Sequence, residues 1–507
     1  MTMSNIRGMR GFLASSIGVT CAAALALPLT PPAVASTARP ALSAEAATRA
    51  ETVAGPAVRR GDAESYVPGS TQSMPLAPLT PLARDRVVGA PAIEGLSPRD
   101  VRHFSLVGVV WDDPDAELHG RVQVRTRAVG TGTWSGWQDV ETHNDDHSAD
   151  LGSAERTSGR VRGSTAPLWV GESDAVEVRV TAQATAEAGS EEGARVPGSG
   201  DPTPSDGTAV VSPLPAGLRL ELVDPGEAAP APDDPAAPRP GSLQSETAET
   251  AEALGAAAAD TAASAANAEL APLGVAQIPA LGRAESEREL LALRGNELTQ
   301  AQRAKPYIGP RPRIVTRRGW GANEGWRERR FVYTRKVKAA FVHHTATGSK
   351  YWCSQVPSLI RGIYRYHVKS MGWRDIGYNF LVDKCGNIYE GRAGGMAKPV
   401  LGAHTLGFNT NSMGIAVLGS YGSRKPTGAA VRAVARLTAW KLGLYGANPR
   451  GKTYLKSAGG NLYRKGKNVR LNVISGHRDG YSTACPGRQL YRKLGAARAA
   501  AARYQGR

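Results

Sequence analysis

Past about residue 30 the chain has no apolar run approaching the roughly 20 residues that span a bilayer, which excludes an integral membrane segment from the mature protein. Cysteine is scarce, with four in 507 residues. One of them, Cys21, sits in an N-terminal apolar stretch, and removal of that stretch leaves Cys353, Cys385 and Cys485, an odd number. In an oxidising compartment two of these pair readily, while the third is a free thiol, an intermolecular bridge or a metal ligand. Acidic side chains nearly vanish from Arg311 onward, where 37 Lys and Arg face 6 Asp and Glu. No internal repeat is evident.

The scarcity of acids splits the chain electrically. Residues 311 to 507 carry a net charge of +31, and the remainder carries −14, so the overall +17 hides two opposite halves. A basic domain suits nucleic acid, anionic lipid or an anionic polymer such as a bacterial wall bearing peptide carboxylates and wall phosphates. It also suits a merely solvated surface, and charge alone does not choose. The N-terminus narrows the field. Arg7 and Arg10 precede an apolar stretch from Gly11 to Leu29, and Ala33, Val34 and Ala35 form an A-x-A site before Ser36. That pattern predicts a secretory signal peptide over 1–35. A lipoprotein signal at Cys21 fits poorly, because Thr20 precedes it and the apolar run continues beyond. A secreted, extracellular or wall-associated protein is expected, and secretion argues against a nucleic-acid partner.

Composition divides the rest into four parts. Residues 36–95, rich in Ala, Pro, Thr and Arg without a lasting apolar period, read as a disordered arm. Residues 96–224 contain short β-rich runs such as FSLVGVVW, RVQVRTRAV and AVEVRVTA, which predict a small β-sandwich-like accessory domain. Its Trp111, Trp134, Trp137 and Trp169 are either core or a carbohydrate platform, and no site is assigned there. Residues 225–304 are rich in Ala, Pro and Glu, and read as a linker, parts of it helical by propensity but with too few large apolar side chains to pack. Residues 305–507 remain as the domain that carries chemistry.

In that domain the strand-like run Ala339 to Val342 ends at His343 and His344, and a second run, Val473 to Ser475, ends at His477, with Cys485 eight residues later. One imidazole from the first pair, His477 and Cys485 make a plausible ligand set. Imidazole and thiolate suit zinc, and three protein ligands leave a fourth position open, as catalytic rather than structural zinc sites do. Ser354 is placed to cap a helix with apolar positions Val356, Leu359, Ile360, Ile363 and Tyr364. YNFLVD and NIYEGR predict a hairpin turning at Gly386, and Thr427 to Tyr445 predicts a second helix.

From Arg311 to Leu494 these segments occur in a distinctive order: RRGWGA, FVHHTATG, IRGIYRYHV, WRDIGYNFLVDKCGNIYEGR, GAHTLGFNTNSMGIAVLGSY and GHRDGYSTACPG. This stretch resembles the type-2 N-acetylmuramoyl-L-alanine amidases and the peptidoglycan recognition proteins. The resemblance implies an α/β catalytic domain, a mixed β-sheet flanked by helices. It implies zinc-dependent hydrolysis of the amide between N-acetylmuramic acid and L-alanine in peptidoglycan; the alternative is a peptidoglycan-binding module that does not cut. Peptidoglycan is the implied partner, with anionic wall polymers as a further candidate. By position, Zn2+ falls on His343, His477 and Cys485, leaving His344 structural, and the catalytic tyrosine falls on Tyr378. Thr483 stands where phage-type members carry lysine, so zinc and Tyr378 would bear more of the oxyanion's charge. His404, Asn409, His367 and Arg392 match positions near the substrate groove. Asp479 and Glu390 are candidate bases, with none obligatory. Cys353 and Cys385 are expected to form a disulfide.

Overall fold

A computed structural model of the chain describes residues 69–79, 92–185, 210–227 and 246–507. The expected signal peptide lies outside the described residues. The β-rich runs form one antiparallel sheet in the order β1 (Thr71–Pro75), β6 (Arg219–Val223), β2 (Ile93–Trp111), β5 (Leu168–Ala182), β3 (Gly120–Ala128) and β4 (Gln138–Val140). Register shifts along the β2–β5 pairing let two long strands bend. The sheet thus wraps one core, in which Val107, Val109 and Leu220 meet Val122, Val178 and Val180. β1 lies inside the stretch expected as an arm; its backbone pairs along all five residues with β6, which the hydropathy pattern of TQSMP does not announce.

The tryptophans divide. Trp111 is core, its Nε1 donating to Ala116 O (2.9 Å), while Arg125 lies over both Trp134 and Trp137, 5.4 and 5.2 Å from their centroids. Arg179 also lies over Trp137, 4.1 Å from its centroid, so these two indoles are covered by guanidinium rather than offered as a bare platform.

The second half is built on a seven-stranded mixed sheet. Its order is β7 (Gln277–Ile278), β8 (Ile314–Val315), β11 (Ile388–Glu390), β10 (Phe380–Val382), β12 (Ser412–Val417), β9 (Ala339–His344) and β13 (Ile474–Gly476). β10 and β11 form the expected hairpin, with Gly386 at φ 92° in its turn. The alternation of β9 sorts its side chains between faces. Ala340 and Val342 pack with Val434 and Leu437 of α4 (Gly428–Gly443) and Leu494 of α5 (Leu494–Tyr504), whereas Ala339 and Phe341 pack with Phe408. Thr427 caps α4 by accepting from Ala430 N (3.1 Å).

Two expectations change. Ser354 caps nothing: it lies in a short turn over Cys353–Gln355 that leads into α3 (Val356–Arg365), which starts with Pro357 in its first turn instead. Residues 246–304, expected as linker, form α1 (Glu246–Ala265), β7 and α2 (Arg283–Arg294). Few large apolar residues suffice, because Leu270, Ile278 and Leu290 each enter the core that contains Trp440, and the Asn267 amide bonds Glu390 and Met396 N.

On the other face of the sheet, α3 is shared. Its Leu359, Ile360 and Ile363 pack in one core with Leu106, Val110, Trp169 and Val223 of the sandwich. Burial of each such side chain stabilises by roughly 1.5–3 kcal/mol. The approach is close enough that a Cβ on Gly108 would sit 2.3 Å from the Tyr366 hydroxyl, which donates to Thr165 O (3.1 Å). The two halves are therefore welded along an apolar seam. Among the described residues, no helix is long and apolar enough to cross a membrane.

Cys353 and Cys385 form a disulfide with Cα atoms 6.5 Å apart, tying the start of α3 to the hairpin turn. Replacing both by serine is expected to cost about 3–4 kcal/mol, the loop-closure entropy of a loop this long. Urea midpoints of the two proteins measure it; an unchanged midpoint would show that this loop is already constrained in the unfolded chain.

Candidate metal centre

β9 and β13 run parallel, with Val342 opposite Gly476. The next residues along are His343 and His477, so two imidazoles leave neighbouring strand ends together, their centroids 4.5 Å apart. Cys485 returns to them on the following loop, where its amide donates to Thr483 Oγ1 (3.1 Å) and its carbonyl accepts from Arg478 N (3.1 Å). Its Sγ lies 3.7 Å from His343 Nδ1.

A fourth side chain joins them that the sequence did not single out. His147 comes from the irregular stretch of the sandwich between β4 and Gly163, and its Nε2 lies 3.4 Å from Cys485 Sγ. The ligand-capable atoms of His147, His343, His477 and Cys485 all lie within 4.8 Å of one another, and all four residues are buried.

The donor set fits Zn2+. A tetrahedron with Zn–N near 2.0–2.1 Å and Zn–S near 2.3 Å has edges of about 3.3–3.7 Å, and the two sulfur–nitrogen spacings fall in or at that range. Both ring nitrogens of His477 are buried with no hydrogen-bond partner, a costly state for polar atoms unless a cation takes a lone pair. His343 turns Nε2 to Thr405 Oγ1 (3.4 Å), and His147 turns Nδ1 to Asp146 Oδ1 (2.6 Å). Each thereby faces the thiol with its other nitrogen, as outer hydrogen bonds orient metal-bound imidazoles. Burial, reinforced by the neighbouring imidazoles, pushes His343 well down, and burial holds His477 down to about 3, so both are in the neutral, ligating form. Burial pushes the Cys485 thiol up; a cation at the centre reverses that preference.

Tyr378 lies beside the cluster, its ring 5.6 Å from that of His343, and burial pushes its phenol up to about 12, so it is a neutral donor. Thr483 is half-buried on the Cys485 loop. His404 is fully buried, 5.2 Å from His343, with its Nε2 unpartnered. His344 accepts from Tyr421 N (3.3 Å), in keeping with a structural role.

The other residues expected near a substrate groove are engaged by the chain itself. His367 accepts from Gly377 N (3.2 Å) and packs on Trp373. The Asn409 amide donates to Ser148 O (2.9 Å) and Asp150 Oδ1 (2.8 Å). Arg392 makes a bidentate pair with Glu155, both bonds 2.8 Å. The candidate bases are committed elsewhere. Asp479 accepts from Gly476 N (2.9 Å) and Tyr491 Oη (2.6 Å), and Glu390 accepts from Asn267 Nδ2 (2.9 Å) and Arg317 N (3.2 Å) in a buried structural network. The one sequence signal for His147 is the density of Asp and His in THNDDHSAD, within a domain otherwise written in strands.

Two family profiles match the chain. N-acetylmuramoyl-L-alanine amidase spans residues 333–488, and "Rv3811 N-terminal galactose-binding domain-like" spans residues 58–203. Peptidoglycan-recognition protein SC2 of Drosophila simulans is 32% identical over 184 residues, 36% of this chain and 84% of that protein. The N-acetylmuramoyl-L-alanine amidase of Homo sapiens is 35% identical over 154 residues, 29% of this chain and 25% of that protein. Among solved structures, peptidoglycan recognition protein LE in complex with tracheal cytotoxin is 33% identical; the match covers 36% of this chain and 92% of that chain, at a TM-score of 0.28.

Two measurements follow from the site. Elemental analysis of the purified chain is expected to find one zinc per molecule, lost in Cys485→Ala; zinc retained by that variant would count against the cluster. Burial raises Glu390 to about 7, against an unfolded value near 4.5. A folded carboxyl with a raised pKa withdraws stability as pH climbs from the unfolded value through the folded one, here by about 3 kcal/mol between pH 4.5 and 7. Glu390→Gln is expected to flatten that decline in urea titrations, and equal slopes for both proteins would assign it to another group.

Proposed function

The chain belongs to the family of peptidoglycan recognition proteins and type-2 N-acetylmuramoyl-L-alanine amidases, and on that premise we propose that it hydrolyses the amide between N-acetylmuramic acid and L-alanine in peptidoglycan. The observation that carries this reading is the convergence of His343, His477 and Cys485 on one buried point at the ends of parallel strands. What Zn2+ supplies at such a point is Lewis acidity toward an amide carbonyl and the acidification of a water.

The chain's own residues take the remaining roles. The neutral Tyr378 phenol donates a hydrogen bond toward the oxygen of the amide as it gains charge, a contribution typically worth 10²- to 10³-fold in rate. Thr483, which brings a hydroxyl but no charge, holds the Cys485 loop through the Cys485 amide. Arg392 and Asn409 offer donors suited to the carboxylates and carbonyls of a stem peptide. The disulfide and the signal-peptide pattern favour an exported protein acting on the wall. The second reading, a module that binds peptidoglycan without cutting it, is favoured by the burial of the whole cluster.

The test is to incubate the purified chain with peptidoglycan, with and without a chelator, and to read new ends by mass spectrometry. New L-alanine amino termini are expected, abolished by the chelator and by Cys485→Ala and lowered about 10²-fold or more by Tyr378→Phe. Cleavage within the glycan strand, or release that survives both zinc removal and Cys485→Ala, would refute the amidase.

A further inference from the structure

The stretch from Glu141 to Arg162 leaves the sandwich after β4 and rejoins it at Gly163, whose neighbour Ser164 pairs with Val110 of β2. Between those anchored ends it has no strand of its own and lies in the groove of the other half. Its contacts there follow a pattern. The Asp146 carbonyl accepts from Leu406 N (2.9 Å), the Asp150 carboxylate accepts from Gly407 N (2.9 Å) and the Asn409 amide (2.8 Å), and the Glu155 carboxylate takes Arg392. Tyr481 adds a hydrogen bond to Asp145 (2.7 Å). This is how an acidic peptide would lie in the groove, and Arg392 and Asn409 are the very donors assigned above to the stem peptide.

His147 sits in the middle of this segment and at the centre of the cluster. A pocket lined by His147, His344, Thr483 and Cys485 measures about 10 Å³, room for one water at most and for no sugar or peptide. The three-ligand set has one position to spare, and His147 Nε2 fills the space facing it, oriented by its own carboxylate, Asp146.

We propose that His147 is a fourth metal ligand supplied by the sandwich, and that segment 141–162 is an internal substitute for the stem peptide that holds the amidase closed until it is lifted out. The proposal rests on the amidase reading above. Most of the apolar seam on α3 lies outside the segment, which adds only Ala149 and Val161 to that core and is otherwise held by polar and ionic contacts that a carboxylate-bearing peptide can replace. Its outermost part, Thr157 to Arg160, is exposed. The expected trigger is therefore a peptidoglycan stem peptide competing for Arg392 and Asn409.

The test uses the full chain loaded with Co2+, whose visible absorption reports the ligand set without reference to catalysis, and azide as the probe of an open position. The wild-type spectrum is expected to be unmoved by azide. His147→Ala should show a different spectrum that shifts on azide addition. Asp150→Ala with Glu155→Ala keeps His147 but removes the segment's grip, so it covers the case in which His147→Ala folds poorly. It should also take azide, and should release stem peptides faster than wild type by on the order of tenfold or more, because breaking a buried charge pair shifts the closed state that far. A wild-type chain that takes azide as readily as the variants, or a His147→Ala spectrum identical to wild type, would overturn the closed site while leaving the amidase intact. A chain that binds no Co2+ would overturn the metal reading itself and this inference with it.

Discussion

The register of two short parallel strands governs the site. Because Val342 and Gly476 are opposite each other, His343 and His477 emerge side by side, and the alternation of β9 turns His343 away from the aliphatic core that holds Val342. A slip of one residue would send His343 into that core and separate the pair. Everything else at the centre adjusts to this point: the Cys485 loop folds back to it, Thr405 orients His343, and His147 reaches it from the neighbouring domain.

Two kinds of interface meet across the α3 face, and their chemistries assign them different tasks. The seam of Leu106, Val110, Trp169 and Val223 with Leu359, Ile360 and Ile363 is apolar and non-directional, and stays closed as long as water is the alternative. Segment 141–162 adds only Ala149 and Val161 to that seam, and its other contacts are carboxylates on an arginine, an amide and backbone N–H groups. Burying such pairs in place of well-packed apolar side chains brings little net stability, since desolvation offsets much of the attraction. What they bring is orientation and exchangeability, because another carboxylate can make the same bonds. A fold that needed only to join two domains could have continued the apolar seam.

Much of the α/β half was legible in the sequence because its signals are local. The hairpin over residues 380–390 announces itself through two β-prone runs about Gly386, α4 through Thr427 and its apolar face, and the disulfide through the two cysteines, Cys353 and Cys385, left in loop texture beside Cys485. His343 and His477 were legible as strand-end imidazoles and Cys485 as a thiol on the following loop, and the structure brings the three together. The misreadings share a different cause: tertiary context outweighed composition. Leu270, Ile278 and Leu290 are too sparse to predict a packed element, yet each fills a place prepared by other residues. Glu390 reads as a free acid but is consumed by Asn267 and Arg317 N. His147 stands 196 residues before His343, in a loop whose composition is that of many solvated loops, and only the docking of the sandwich on α3 brings its Asp and His against Asn409 and Cys485.

The most direct test of the central claim, a buried zinc centre completed by a residue from the neighbouring domain, is X-ray absorption at the zinc edge of the full chain. Multiple scattering from imidazole rings counts the histidines bound. The structure predicts one sulfur and three imidazoles in wild type, falling to two imidazoles in His147→Ala. Two imidazoles in both proteins would contradict it, and would leave His147 a bystander beside a site of three ligands.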